Sequence, residues 1–114
     1  PHYYGADDIP AALRQVPTEE TSLLLSHTPE IYAEAAHAGL DMYLCGHTHG
    51  GQICLPGGYP LTLDAKCPRF LGKGAWHYDG MQGYTSVGAG TSIINIRLNC
   101  PPEVTLHTLT RGPQ

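Results

Sequence analysis

The chain has 114 residues, ten acidic and six basic side chains, a formal charge of −4 and a charged fraction of only 14%. That length suits one domain and excludes two. No Lys/Arg stripe suggests a nucleic-acid surface, and no apolar run approaches the roughly 18 residues of a membrane span.

Residues 7–16, DDIPAALRQV, read as a short helix, with Asp7 or Asp8 as cap and Pro10 in the first turn. Residues 21–26, TSLLLS, are short and continuously apolar between polar flanks, which predicts a buried strand. A second helix is expected from Thr28 as N-cap, with Pro29 at its first position, ending at Gly39. Residues 41–45, DMYLC, read as the next strand. Strand, helix and strand with a short crossover predict a parallel βαβ unit.

After residue 46 no helical period is sustained. Fourteen glycines and ten prolines imply many turns. Residues 74–87 resemble a hairpin turning at Asp79-Gly80. INIRLN and EVTLHTLT alternate apolar and polar residues, which predicts two further strands joined by Pro101-Pro102. The expected class is α/β, a βαβ unit followed by mostly antiparallel strands. The chain starts at Pro1 rather than Met, as an excised piece would, and carries no signal-peptide pattern. Cys45, Cys54, Cys67 and Cys100 form no C-x-x-C pair, which excludes a zinc ribbon or thioredoxin motif. At this cysteine density they read as free thiols.

The chemistry concentrates in two places. The first predicted strand runs into Ser26-His27, and the second into Gly46-His47-Thr48-His49-Gly50-Gly51-Gln52. In a parallel α/β unit, functional residues gather beyond the carboxyl ends of strands. If the strands are neighbours, three imidazoles converge on one sheet edge. Neutral imidazole is a common metal ligand. In an extended segment His47 and His49 would project to one side, roughly 6.5–7 Å apart. That spacing suits two metal ions with one histidine each. Cys45 is either a zinc ligand of a mononuclear site or a small core residue, and its strand position favours the core. Gln52 is either a substrate contact or a loop-stabilising amide. His37 and His107 read as surface residues, and His77, beside Trp76 and Tyr78, as a weaker candidate for a pocket wall. His2 has no context that marks it.

LLLSH at 23–27 and GLDMYLCGHTHGGQICLP at 39–56 resemble the calcineurin-like metallophosphoesterase superfamily, closest to its bacterial G-H-T-H-G-G-Q branch. YGADD at 4–8 is similar to that branch's lead-in segment. GYTSVGAGTSIINIRLNCPPEVTLHTL at 83–109 resembles its closing strands, with their R-L-x-x-x-P-E pattern. The resemblance implies that His27 and His47 ligate the second metal and His49 the first. It implies the αββα sandwich of two sheets, two divalent ions (Mn, Fe, Zn or Mg), and a phosphoester substrate, either a phosphomonoester, a phosphodiester or a lipid-linked pyrophosphate. The family's earlier ligand motifs, D-x-H, G-D-x-x-D and G-N-H-D/E, do not occur here. Residues 1–114 therefore resemble the C-terminal portion of one such domain, lacking the N-terminal half that completes the site. Some relatives are membrane-anchored by an N-terminal helix, so a cytoplasmic or membrane-associated parent is expected. The rival expectation is a non-catalytic metal-binding or interaction module that kept the loop.

Overall fold

The computed structural model describes residues 7–63 and 65–112. His2, residues 4–6 of the lead-in segment and Asp64 lie outside the described residues. The element order is α1 (Ile9–Leu13), β1 (Leu23–Leu25), α2 (Tyr32–His37), β2 (Met42–Cys45), β3 (Cys54–Leu55), β4 (Tyr59–Pro60), β5 (Gly74–Tyr78) and β6 (Met81–Thr85). Short 3₁₀ turns sit at His49–Gly51 and Arg69–Leu71. The chain is mixed α/β. A four-stranded sheet has the order β1-β2-β6-β5, and β3 pairs with β4 in a separate ribbon.

The βαβ expectation is met. β1 and β2 are parallel neighbours, with Leu25 opposite Leu44. Two helix ends are specified locally, the start of α1 and the end of the crossover helix α2. Asp8 caps α1, its carboxylate accepting the Ala11 N–H at 2.9 Å. Gly39 ends α2 at φ +84. Its N–H donates to Ala36 O (3.0 Å) while the Leu40 N–H donates to Ala35 O (3.2 Å), the paired bonds of a Schellman stop. Leu40 and Ala35 are both buried, which supplies the apolar contact of that motif.

The start of α2 differs from the sequence expectation. The helix begins at Tyr32, not after Thr28, and Ile31 caps it without a side-chain bond. The Thr28 carbonyl is already taken by Tyr43 Oη (2.6 Å) and Ser26 Oγ (3.0 Å). Thr28 Oγ1 accepts the Glu30 N–H, so residues 28–31 form a turn that precedes the helix.

The hairpin is present. β5 and β6 are antiparallel, with Tyr78 opposite Met81. Asp79 (φ +48) and Gly80 (φ +82) give the left-handed pair that a type I′ turn requires. The second half is less antiparallel than expected, because β6 also pairs in parallel with β2. INIRLN and EVTLHTLT are not strands among the described residues. Leu98 keeps one bridge, to Ile53. In residues 103–107, Glu103, Thr105 and His107 face Tyr84 while Val104 and Leu106 are exposed, and the Glu103 N–H donates to Gly88 O (2.9 Å) without forming a ladder. Glu103 Oε1 accepts from Tyr84 Oη (2.9 Å) and Val87 N (3.2 Å), and Thr105 Oγ1 donates to Tyr84 Oη. His107 stacks edge-on to Tyr84 at 4.9 Å and is exposed, as expected.

Register sorts the sheet into two unlike faces. Leu24, Tyr43, Gly83 and Trp76 align across one face. This face carries the core, where Tyr43, Cys45, Trp76 and Met81 pack with Ile31, Ala35, Leu40 and Leu71, and with Ile9 and Leu13 of α1. The opposite face carries Leu23, Leu25, Met42, Leu44 and Tyr84. The expectation of a buried first strand fails on this face, where Leu23 is 40% and Leu25 73% exposed. β1 is an edge strand with apolar side chains on both faces, and only the helical face is covered within the described residues.

Candidate functional site

β1 and β2 end side by side, and their continuations are tied together. Ser26 N donates to Leu44 O (3.0 Å), and Gly46 N donates to His27 O (3.2 Å). Parallel pairing therefore delivers His27 and His47 to one edge, where their ring centroids lie 4.7 Å apart at 56°. His27 is exposed and lines a cavity of about 330 Å³ with Asp7, Asp8 and Thr28.

His49 does not join them as an extended segment would bring it. Residues 47–49 turn sharply, with His47 at φ +69, Thr48 in the helical region at φ −66 and His49 at φ +50. The Thr48 N–H donates to Gly46 O at 2.8 Å. Thr48 fixes this turn from inside: it is buried, and its hydroxyl donates to Gly72 O at 2.6 Å and accepts the Gly50 N–H. The two histidines thus leave the loop from separate left-handed positions. A non-glycine residue at positive φ is uncommon, and such strain clusters at functional sites.

His49 Nδ1 is buried and has no hydrogen-bond partner among the described residues. An unsatisfied buried polar atom costs about 1–3 kcal/mol, so a nitrogen left in this state favours any group that can bind it. Among the described residues no three His, Cys, Asp or Glu side chains lie close enough to hold one ion. The donor set is therefore a pair of rings plus a separate buried nitrogen. That fits partial ligation of metal by these residues, with further ligands required.

Glycine at 50 is dictated by packing. A Cβ there would sit 2.5 Å from Val87 Cγ1 and 2.7 Å from Cys100 Sγ, at φ +62. The loop backbone is gripped from behind by Arg97. Its guanidinium donates to the carbonyls of Gly90 (2.6 Å), Val87 (3.0 Å) and His49 (3.3 Å), and its Nε to Cys100 O (2.8 Å). Sequence reasoning missed Thr48, Arg97 and Glu103 as supports; the R-L-x-x-x-P-E pattern held the last two without their roles. Gln52 resolves as the loop-stabilising amide: it is buried and bonds Ser92 and Ile94.

Cys45 is a core residue. Its thiol lies 3.2 Å from Thr85 Oγ1, and burial pushes it up to about 11, away from the thiolate a metal needs. All four cysteines are free, as expected. His77 is exposed beside its partner Gln82, and His37 is exposed on α2. A cavity of about 310 Å³ opens on the other side of the loop, lined by His47, His49 and several apolar side chains.

No protein-family model matches the chain. No solved structure matches it. Curated relatives do. The uncharacterized metallophosphoesterase YkoQ of Bacillus subtilis is 38% identical over 88 residues, 76% of this chain and 33% of the relative. Phosphodiesterase YaeI of Escherichia coli is 38% identical over 88 residues, 76% of this chain and 32% of the relative. An uncharacterized metallophosphoesterase of Helicobacter pylori is 34% identical over 101 residues, 87% of this chain and 26% of the relative. The chain spans a third or less of the length of these three relatives, which fits a portion of such an enzyme. With the paired histidines of parallel strand ends and the G-H-T-H-G-G-Q loop, these matches place the chain in the calcineurin-like metallophosphoesterase family.

Proposed function

We propose that the chain is the C-terminal part of a metal-dependent phosphoester hydrolase and supplies about half of a dinuclear site. His27 and His47 would hold one divalent ion (Mn, Fe, Zn or Mg), and His49 the other. The observation that carries this reading is the contrast between a ring pair meeting at 4.7 Å and a neighbouring buried imidazole nitrogen without a partner. When bound, such ions polarise a phosphoryl oxygen and make water a nucleophile at neutral pH. The chain's own residues supply imidazoles at fixed positions. Thr48 sets the angle between the two histidines, and Arg97 restrains the His49 carbonyl. Gly50 lets Val87 and Cys100 close behind the loop.

The uncovered sheet face supports the accompanying proposal of an αββα sandwich. Leu23, Leu25, Met42 and Leu44 form an apolar surface of the kind a second sheet packs against, about 10 Å away. The remaining ligands would come from the same missing half.

A direct test is phosphodiesterase activity toward bis(p-nitrophenyl) phosphate with Mn²⁺. The 114-residue chain should turn over at least about a thousandfold below the typical enzyme value of about 10 s⁻¹. A form extended upstream to include the D-x-H, G-D-x-x-D and G-N-H motifs should be active. Turnover near the typical value by the 114 residues alone would refute the shared site.

A further inference from the structure

The cavity beside His47 and His49 is walled by Ile53, Leu61, Ile93 and Ile94. One of these walls is built at a cost. The Gln52 side-chain Oε1 accepts the Ser92 N–H at 2.7 Å, and its Nε2 donates to Ser92 O (3.2 Å) and Ile94 O (2.9 Å). The Ile94 N–H folds back onto Ser92 O at 2.7 Å. The result is a three-residue turn with Ile93 at its crest, at φ +67 and 98% exposed. A β-branched residue in the left-handed region is a genuine outlier. A turn at a left-handed crest ordinarily selects glycine or asparagine. Here an isoleucine is held outward, beside two histidines, by a buried glutamine of the same loop.

We infer that this cavity is a subsite for an apolar substituent of the phosphoester, an alkyl or aryl group, and that Ile93 is its specificity-determining contact. The inference rests on the metallophosphoesterase reading of the adjoining histidines. Its volume, about 310 Å³, is at the lower end of ligand pockets. Beyond the histidine loop the lining is mostly hydrocarbon, from Ile53, Leu61, Ile93 and Ile94, with Thr62 and Ser92 as its polar members. A substrate would therefore present its phosphate to the imidazoles and its apolar arm to Ile93, while Gln52 acts as a positioning residue through the turn.

The test is binding of octyl phosphate and methyl phosphate to the chain, followed by amide NMR shifts, with and without Mn²⁺. Octyl phosphate should bind at least about tenfold more tightly than methyl phosphate, since each buried methylene contributes a fewfold. Its shifts should map to residues 47–53 and 92–94. Ile93→Ser should weaken octyl phosphate at least about fivefold and leave methyl phosphate unchanged. Leu61→Ser should act in the same direction, which guards against a local collapse of the turn. Equal affinity for the two phosphates, or no response to either variant, would overturn the inference. So would broadening of these resonances with protein concentration, which gives the cavity to a second copy. Loss of octyl phosphate binding in an upstream-extended form would likewise give it to that segment. If Mn²⁺ perturbs His47 and His49 but chain length has no effect, the subsite falls and the metal reading stands. If octyl phosphate binds as expected but Mn²⁺ perturbs neither histidine, the subsite stands and the metal reading falls.

Discussion

Gly83→Ala should destabilise the domain by about 3 kcal/mol, at the upper end of overpacking costs. Gly83 lies on β6 between Tyr43 of β2 and Trp76 of β5. A Cβ there would lie 2.3 Å from three atoms of the Trp76 indole. The ring has nowhere to slide. Trp76 is buried, its Nε1 donates to Thr85 Oγ1 at 2.9 Å, and Thr85 Oγ1 donates to Leu71 O at 2.6 Å. Tyr43 closes the other side, with ring centroids 5.6 Å apart. The methyl must therefore push the indole off its hydrogen bond or spread the strands. Domains of this kind are stable by about 5–15 kcal/mol, so the loss is a large fraction. Trp76, the only tryptophan, reports unfolding in urea by its fluorescence. A shift below about 1 kcal/mol would contradict this packing. Gly90→Ala, where a Cβ meets nothing within 4 Å, should be near neutral.

His47→Ala and His49→Ala should each lower metal-dependent phosphodiesterase activity by more than about a hundredfold in an upstream-extended form. Loss of a partner outside the ligand shell costs about 10–100-fold, and direct ligands should cost more. The two substitutions act on different parts of the proposed site. His47→Ala removes half of the ring pair with His27. His49→Ala removes the partnerless buried nitrogen and leaves that pair in place. Neither should unfold the loop, because Thr48, Gly50 and Arg97 hold it through backbone atoms. Activity within a few-fold of the parent in both variants, with the fold retained, would remove these histidines from the site.

Much of the front half was legible because its signals are local. Asp8 and Gly39 mark helix ends by their own backbone chemistry, and Asp79-Gly80 marks a turn by its φ values. Neighbouring parallel strands ending in histidine followed from the short crossover. The exposure of Leu25 was not legible, because LLL has the same pattern whether or not a second layer covers it. The tail failed for a related reason. EVTLHTLT alternates as a strand does, but pairing needs a partner strand with free N–H and C=O groups, and Glu103, Thr105 and His107 instead meet the side chain of Tyr84. The extended reading of His47 and His49 failed because spacing carries no φ information; Thr48 bonding to Gly72, distant in sequence, bends the loop. The resemblance supplied the metal roles, and the structure adds the supports behind them.

The central claim is that His27, His47 and His49 are the chain's metal ligands. Titrating the chain with Mn²⁺ while following histidine ring resonances by NMR tests it most directly, because paramagnetic broadening reveals even weak binding. Selective broadening of His27, His47 and His49, ahead of His37, His77 and His107, is the predicted result. Uniform broadening of all of them, or none at His47 and His49, would contradict it.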